Sequence, residues 1–280
     1  MDDTKKIIWL ASYPKSGNTW FRAFLTALLN PDLKEVDINN MAQTTIASSR
    51  QLFDEVSGIE SSDLTADEID SLRPRIYRQN AFESNEVIYH KIHDAWDVLP
   101  DGTALFPMEA TKGVLYFIRN PLDVAISFAN HLNTSIDRTI EIMNNPTYAF
   151  CEKNSKLYNQ LRQRLHTWSG HVKSWTEDSG LPLMVIRYED MLTDTLAIFS
   201  KAVSFIGLDQ SEVNIKKALD LSSFEQLRKQ EETKGFSEKS AKSERFFRKG
   251  IAGDWKTMLS KEQVGRIKEA HSLTMLKFGY

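Results

Sequence analysis

Short runs of β-branched and aromatic residues alternate with helix-length segments along this chain, and this alternation constrains the fold more than any other feature. Each run is too short for a stable helix and is typical of a buried strand. The predicted strands are Ile7–Ser12, Glu86–Lys91, Gly113–Ile118 and Leu183–Tyr188. The predicted helices are Asn18–Asn30, Thr65–Asn80, Asn120–Asn133, Ser155–Asp178 and Met191–Ile206. The pattern predicts an α/β fold with a central parallel, doubly wound sheet flanked by helices, and ligands bind such sheets beyond the carboxyl ends of the strands.

The 280 residues contain no internal repeat, low-complexity tract or Pro/Gly/Ser-rich linker. A single domain over residues 1–280 is therefore expected. With 41% hydrophobic and 26% charged residues, the composition is that of an ordinary globular protein. Residues 31–64 and 134–150 are polar and weakly periodic, which predicts loops and short helices there.

Charge and composition exclude several classes of partner. The formal net charge of -3 leaves no global basic field for nucleic acid or an anionic membrane, so any anion site must be local. No apolar stretch approaches the roughly 20 residues of a membrane span, and the first residues lack the apolar part of a signal peptide, so a cytoplasmic location is expected. The one cysteine, Cys151, excludes an intrachain disulfide and a cysteine-based zinc site. No Asp/His cluster has metal-ligand spacing, so no metal is expected.

The segment Tyr13–Trp20 leads from the first predicted strand into the first predicted helix and has the chemistry of an anion cradle. Gly17 allows backbone amides to approach a ligand closely, and the helix N-terminus offers unpaired N–H groups with a partial positive charge. Lys15 supplies a mobile cation. Further side-chain donors are Ser16, Asn18 and Thr19.

This segment has two other interpretations. It could be a plain strand–turn–helix junction in which Asn18 or Thr19 only caps the helix. It differs from the P-loop of kinases and GTPases, where lysine follows the last glycine, because here Lys15 precedes Gly17 and no earlier glycine lies in the loop. A site for Mg²⁺ and a triphosphate is therefore disfavoured.

A second strand-to-helix junction runs from Leu115 to Ser127. The helix start is well specified by an N-cap, a proline and a carboxylate, namely Asn120, Pro121 and Asp123. Arg119 therefore lies at the carboxyl end of a strand. Ser127, two turns into the helix, could share an anion with Arg119 if that helix flanks the ligand. Alternatively, Arg119 could simply pair with Asp123 or Glu189.

A third segment, Phe246–Lys256, combines two cations with a glycine. Arg248 can hold a phosphate with two parallel hydrogen bonds, Lys249 adds charge, and Gly250 exposes backbone amides. The alternative is a surface cluster of charges without a ligand.

Taken in order, these three segments resemble the nucleotide-binding segments of the cytosolic sulfotransferases that use 3'-phosphoadenosine 5'-phosphosulfate (PAPS). Tyr13–Trp20 resembles the loop for the 5'-phosphosulfate, with Asn18 where the family usually has threonine. Phe246–Lys256 contains the family's R-K-G-x-x-G-D-W-K signature without a mismatch. The resemblance spans residues 8–256 and implies a sulfotransferase that uses PAPS and releases 3'-phosphoadenosine 5'-phosphate (PAP).

The resemblance also implies which residues bind the donor. The 5'-phosphosulfate would contact Lys15, Ser16, Gly17, Asn18 and Thr19. The 3'-phosphate would contact Arg119, Ser127, Arg248, Lys249 and Gly250. Adenine would lie among Trp20, Tyr188, Phe224 and the neighbouring Ser223. Without the resemblance, Ser222 and Glu225 would predict only a capping box at a helix start.

Lys91 and His93 stand at the spacing of the family's catalytic lysine and histidine, with Ile92 where the family usually has threonine. Sulfuryl transfer between two oxygens needs a base for the acceptor and cations for the other oxygens, and His93 is the best candidate base. His90 is the rival, but strand alternation places it on the opposite face from His93.

The resemblance and the charges together suggest a role for each catalytic residue. His93 would accept the hydroxyl proton, and Lys15 would neutralise the leaving group. Lys91 would stabilise the sulfuryl oxygens. A family serine that matches Ser127 holds the active lysine away from the donor until acceptor arrives, and the resemblance extends that role to this chain.

Two other functions stay open from sequence, an ATP-dependent small-molecule kinase and a non-catalytic adenine-nucleotide sensor. The expected partner is a small-molecule acceptor with a hydroxyl or an amine, and the segments that would select it, roughly 31–85 and 131–155, contain no readable motif.

The dimerisation pattern of animal members is not reproduced after Lys256, so no oligomeric state is predicted. Residues 230–245 are polar and charged, which predicts a lid that nucleotide binding would order.

Overall fold

The computed structural model describes residues 5–152, 156–240 and 243–280. The strands in this part of the chain are β1 (Ile7–Ser12), β2 (Thr44–Ile46), β3 (Ile88–Ile92), β4 (Thr111–Ile118), β5 (Ala149–Phe150), β6 (Gln163–Arg164) and β7 (Leu183–Arg187). The helices are α1 (Asn18–Leu29), α2 (Arg50–Ser57), α3 (Ala66–Glu83), α4 (Pro121–Leu132), α5 (Ile136–Met143), α6 (Trp168–Lys173), α7 (Tyr188–Thr193), α8 (Thr195–Phe205), α9 (Glu212–Leu221), α10 (Phe224–Lys234), α11 (Trp255–Met258) and α12 (Lys261–Lys277). Every one of these helices is too short or too polar to traverse a lipid bilayer.

The chain forms two compact units. Leaving aside the undescribed residues, the first unit comprises 5–13, 45–116 and 145–185, and the second comprises 14–44, 117–144 and 186–280. The central sheet of the described chain has five strands in the order β2-β3-β1-β4-β7. Because β1 and β3 pair in parallel and helices connect the strands, the predicted α/β fold with a central parallel sheet is confirmed.

The pairing of β1 with β3 positions the predicted base. All six residues of β1 are buried, as expected for a strand covered on both faces. The register pairs Ile7 with Ile88 and continues to Ala11 with Ile92. The next residue after β3, His93, therefore comes beside Ser12, the last residue of β1.

The prediction of a helix over Ser155–Asp178 is correct from Trp168 onward, where α6 continues as a π-helix over Ser174–Asp178, and is wrong before Trp168. Ser155 itself lies outside the described residues. Residues 161–165 alternate between buried and half-buried positions, and α6 begins only at Trp168, where the Thr167 hydroxyl caps it. Leu161 and Leu165 are both buried. A spacing of four residues fits one face of a helix and one face of a strand equally well, so the leucines alone could not distinguish them.

Other boundaries differ from the predictions by smaller amounts. The predicted helix Met191–Ile206 is divided at Asp194, which ends α7 and begins α8. The edge strand β2 was not predicted, because three residues give no periodic signal. Ser222 does not begin a helix: its hydroxyl donates to the Ala218 carbonyl at the end of α9, and Ser223 is the N-cap of α10.

In the first unit, a buried ion pair fixes the residue that follows the predicted base. Two guanidinium nitrogens of Arg73 each lie 2.9 Å from a carboxylate oxygen of Asp94. Both side chains are almost wholly buried, and Arg73 also donates to the Tyr77 hydroxyl and the Arg162 carbonyl. A buried charge is costly without its partner, so this pair strongly constrains the loop after β3.

We predict that Arg73→Met lowers the free energy of unfolding by about 3–5 kcal/mol, because the carboxylate of Asp94 would stay buried without a cation. Chemical denaturation monitored by circular dichroism measures this loss. The matched control is Arg78→Met on the same helix, since the pair between Arg78 and Glu109 is 41% and 57% exposed. We expect less than about 1 kcal/mol for this exposed pair. Similar losses for both variants would contradict the prediction.

Candidate active site

The loop before α1 has a backbone conformation suited to an anion. Lys15 has a φ of 71° and Gly17 a φ of 103°, so two residues of the loop are left-handed. Alternation of this kind turns successive N–H groups toward one point. Gly17 also packs against Tyr188, because a Cβ at this position would lie 2.9 Å from the ring. Glycine is therefore required here both by the backbone and by the neighbouring ring.

The first turn of α1 is open toward this loop. Gly17 is the N-cap, and this helix, described over its whole length, has neither a side-chain cap nor an acidic residue in its first turn. Asn18 and Thr19, which could have been simple caps, are instead buried first-turn residues. The Ser16 hydroxyl is buried, and none of the residues that the structure describes is within hydrogen-bonding distance of it. A buried hydroxyl and an uncapped helix end suit an anionic ligand with several oxygens.

Arg119, at the end of β4, joins two of the predicted segments within the second unit. Its guanidinium donates to the carbonyls of Lys15, at 3.2 Å, and Ile251, at 2.9 Å, and lies 4.2 Å above the Tyr188 ring centroid. Its Nε is buried without a hydrogen-bond partner among the described residues. Arg119 is thus oriented by backbone carbonyls and retains a donor for a ligand. Ser127 lies farther along α4 and is half-buried.

The carboxylates that could have paired with Arg119 have other partners. Asp123 accepts from the amides of Gly253, at 2.6 Å, and Trp255, at 3.0 Å. Glu189 accepts from the amide of Asn120 at 3.0 Å and from the hydroxyl of Tyr280 at 2.9 Å. Asp123 therefore holds the C-terminal signature loop against α4, a role that its position in the first turn does not reveal.

In the C-terminal signature, Asp254 holds both predicted phosphate-binding cations. Its carboxylate accepts from Arg248 and, at 2.7 Å, from Lys249. Burial alone raises the pKa of Asp254, but the hydrogen bonds from Lys249 and Arg248 lower it below its usual value, so the group stays ionised at neutral pH. Each cation keeps further N–H donors, since a guanidinium has five and an ammonium three.

Gly250 has a second reason to be glycine. Its φ is 65°, and a Cβ there would lie 2.5 Å from Phe224. The backbone at Gly250 therefore packs directly against the ring that is predicted to meet adenine. Ser223, the residue before this ring, begins α10 without capping it through its side chain.

The predicted adenine residues differ in accessibility. Trp20 and Phe224 are half-buried, so part of each ring can still receive a base. Tyr188 is only 7% exposed, because Gly17 and Arg119 cover much of its ring. A base at this site would accordingly meet mainly Trp20 and Phe224 and reach little of Tyr188.

In the first unit, His93 has a defined tautomer. Its Nδ1 lies 2.8 Å from the carbonyl oxygen of Ser12 and 3.3 Å from the hydroxyl of the same residue. A carbonyl oxygen can only accept, so the hydrogen-bond network assigns the proton of the neutral ring to Nδ1. Nε2 then carries a lone pair and can take up a proton. Lys91, on β3, is buried.

A helical turn holds the backbone on which His93 lies. His171 Nε2 lies 3.1 Å from the His93 carbonyl, and Trp175 donates to the next carbonyl, that of Asp94, at 2.9 Å. The other nitrogen of His171 accepts from the Tyr116 hydroxyl at 2.8 Å. Burial lowers the pKa of His171 to about 3, so the ring stays neutral and can bridge both partners.

The other candidate base, His90, makes contacts that support the structure. It is buried and hydrogen-bonds through one nitrogen to Thr45 at 2.8 Å and through the other to Asn80 at 3.1 Å. Burial lowers the pKa of His90 to about 4, although the contact with Thr45 opposes the shift. Both ring nitrogens are therefore engaged, which leaves no position for an acceptor hydroxyl.

Comparison with known families identifies the family of the chain. The model of the sulfotransferase domain family matches residues 5–279. This chain belongs to the sulfotransferase domain family. The prediction of a sulfotransferase enzyme is thereby confirmed.

The matches to relatives and solved structures cover nearly the whole of this sulfotransferase. Cytosolic sulfotransferase 17 of Arabidopsis thaliana is 25% identical, over 92% of this chain and 71% of the relative. Sulfotransferase 1E1 of Cavia porcellus is 27% identical, over 88% of this chain and 75% of the relative. A retinol dehydratase solved with androsterone and PAP is similar in fold, with a TM-score of 0.64 and 19% identity over 96% of this chain and 80% of its own. Mouse sulfotransferase SULT7A1, solved with PAP, has a TM-score of 0.58 and 20% identity over 98% of this chain and 85% of its own.

The roles of three supporting residues of this sulfotransferase were not predicted from the sequence. Asp123 and Glu231 bind backbone amides of the C-terminal signature region, and His171 binds the backbone at His93. The spacing of His171 and Trp175 does place both on one helix face. What they bind could not be inferred, because backbone carbonyls carry no sequence signal.

We predict that Gly250→Ala lowers the free energy of unfolding by about 2 kcal/mol or more, since a left-handed alanine costs about 1–2 kcal/mol and the new methyl group also collides with Phe224. Gly253→Ala is the matched control. Gly253 has a φ of 83°, and no described atom lies within 4 Å of the position that an added methyl group would occupy, so only the backbone cost should appear. Urea denaturation compares the two variants. Equal losses would show that contact with Phe224 contributes nothing.

Proposed function

We propose that this sulfotransferase transfers the sulfuryl group of PAPS to a hydroxyl or an amine of a small molecule, with His93 as the base. The observation that carries the proposal is the loop Tyr13–Trp20, here called the phosphate loop, in which Lys15 precedes Gly17 and a buried Ser16 hydroxyl without a hydrogen-bond partner among the described residues precedes an uncapped helix end. Solved neighbours with the same fold contain PAP, the product that PAPS would leave. The geometry of the loop and the fold of the chain thus support the same donor, PAPS.

The donor would be bound at its two charged ends by residues of the second unit. The loop amides, Ser16 and Lys15 would hold the 5'-phosphosulfate. The 3'-phosphate would be held by Arg119, Ser127, Arg248, Lys249 and the amide of Gly250. Asp254 keeps Arg248 and Lys249 together before the phosphate arrives, which reduces the rotamer entropy lost on binding.

In the reaction, the acceptor oxygen forms a bond to sulfur while the bond between sulfur and the bridging oxygen breaks. His93 Nε2 would take the acceptor proton, since Nδ1 donates to Ser12 and cannot serve as the base. Lys15 would neutralise the negative charge that develops on the departing phosphate, and Lys91 would stabilise the sulfuryl oxygens. The products are the sulfated acceptor and PAP.

Some features of the proposal concern the protein as a whole. The androsterone in the retinol dehydratase structure is a small molecule, in keeping with the expected class of acceptor. The name of the Arabidopsis relative agrees with the expected cytoplasmic location. The single domain over 1–280, the lid at 230–245 and the choice between hydroxyl and amine stay predictions, and Ala241 and Lys242 of that lid lie outside the described residues.

We predict that His93→Ala lowers kcat at least about a hundredfold, because a positioned base contributes at least that factor, while PAP affinity stays within a few-fold of the parent. Transfer is measured with radiolabelled PAPS and a panel of phenols and alcohols, and PAP binding by calorimetry. The control is His90→Gln, which can keep the contacts to Thr45 and Asn80 but cannot act as a base. Normal turnover by His93→Ala would disprove the base assignment.

A second prediction concerns the 3'-phosphate. Arg119→Ala should weaken PAP tenfold to a hundredfold more than AMP, which lacks the 3'-phosphate, because a charge-assisted contact is lost only with PAP. Calorimetry with both nucleotides gives the ratio. The control is Arg187→Ala, an arginine at the end of β7 that contacts Asp190 and Tyr280, for which we expect no change in the ratio. If Arg119→Ala weakens both nucleotides equally, Arg119 only supports the loops.

A further inference from the structure

The ammonium group of Lys15 lies over the face of an aromatic ring. Its Nζ is 3.4 Å from the centroid of Phe246, well within the range of a cation–π contact. We infer that Phe246 is a positioning residue for Lys15, holding the cation that neutralises the leaving group. The inference rests on the proposed function in that Lys15 is the leaving-group cation only if PAPS is the donor. The contact itself can be tested without that assumption.

The backbone and the ring of Phe246 are themselves held by neighbouring residues. The buried carboxylate of Glu231 accepts from the amide of Phe246 at 2.5 Å and from the amide of Phe247 at 2.8 Å. The ring also meets Phe236 edge-on, with centroids 4.8 Å apart, and His131 at 6.1 Å. A ring with its backbone and two neighbours fixed offers the ammonium a defined position.

Lys15 is held at its other end. Its backbone is left-handed, and its carbonyl accepts from Arg119 at 3.2 Å. With the backbone fixed by Arg119 and the ammonium fixed by Phe246, the long side chain has few remaining rotamers. That order would otherwise have to be imposed when the donor binds, at a cost in side-chain entropy.

An aromatic face suits this purpose better than a carboxylate. A carboxylate would neutralise the charge that the departing phosphate needs, whereas a ring attracts the ammonium through its quadrupole and leaves the net positive charge in place. The ring also occupies only one side of the ammonium. An ammonium has three N–H donors, so a ring on one side does not by itself prevent hydrogen bonds to phosphate oxygens.

Through its contact with Phe246, Lys15 is also linked to the part of the site proposed to bind adenine. Glu231, which holds the backbone of Phe246, lies on α10, and the first residue of this helix is Phe224, the ring proposed to meet adenine. On the other side, Glu238 pairs at 2.5 Å with the buried Arg22 of α1, the helix that begins at the phosphate loop. Glu231 and Glu238 thus connect this region to both ends of the proposed nucleotide site.

The first test detects the contact directly. In spectra of protein carrying ¹³C-labelled lysine, the ε-methylene signal of Lys15 should be shifted upfield by the Phe246 ring current, and Lys15→Arg identifies that signal. Phe246→Leu should abolish the shift, and Phe246→Tyr should preserve it because the aromatic face is kept. If the Lys15 signal is not shifted in the parent, the inference is overturned, whatever the function of the protein.

The second test is a double-mutant cycle on PAP affinity, measured by calorimetry. We expect Phe246→Leu to weaken PAP about three- to thirtyfold when Lys15 is present, and less than about twofold in the Lys15→Met background. Phe246→Tyr should restore most of the affinity. The same loss in both backgrounds would show that Phe246 is merely structural and would overturn the inference.

Two controls keep the outcomes distinct. Phe236→Leu removes a ring that packs on Phe246 but keeps the ring that contacts Lys15, so it should couple to Lys15→Met less strongly than Phe246→Leu does. If Phe246→Leu fails to fold by circular dichroism, Phe246→Met replaces it, because methionine fills the space without an aromatic face. If the parent does not bind PAP, the proposed function fails, and the ring-current measurement alone decides the inference.

Discussion

The proposed donor site is organised around the guanidinium group of Arg119. It binds the carbonyl of Lys15 in the phosphate loop, the carbonyl of Ile251 in the C-terminal signature, and the face of Tyr188 after β7. Three segments that are far apart in sequence thus share one cation. Since backbone carbonyls satisfy only part of the guanidinium, the group can orient these loops and still offer Nε to an anion.

The position of His93, in the first unit, depends on backbone groups in a comparable way. The carbonyl of Ser12 assigns the tautomer of His93, and the carbonyls of His93 and Asp94 are held by His171 and Trp175. Most of these partners are buried, where a hydrogen bond is stronger and an unmade one more costly than at the surface. His93, the proposed base, is therefore oriented by an environment with little freedom to relax, as general-base catalysis would require.

Where the sequence predictions failed, two structures fitted the same local pattern. Leu161 and Leu165 are four residues apart, which suits both a helix and the alternating segment around β6 that the chain adopts. Ser222 and Ser223 are both suitable caps. Only the hydrogen bond from the Ser222 hydroxyl to the Ala218 carbonyl shows that Ser222 ends α9 and that Ser223 begins α10. Local propensity is a weak prior, and tertiary contacts chose between these near-equal alternatives.

The parallel α/β sheet, the anion loop Tyr13–Trp20, the C-terminal signature and the family could all be predicted from the sequence. Each depends on residues that are consecutive or regularly spaced, because strand periodicity and the chemistry of anion loops are local properties. The groups that support those motifs could be found only from the folded chain. Lys15 meets Phe246, and Asp123 meets Gly253, across separations of more than a hundred residues. A ring face, a carbonyl or an amide carries no pattern along the chain that names its partner, so these contacts follow from packing alone.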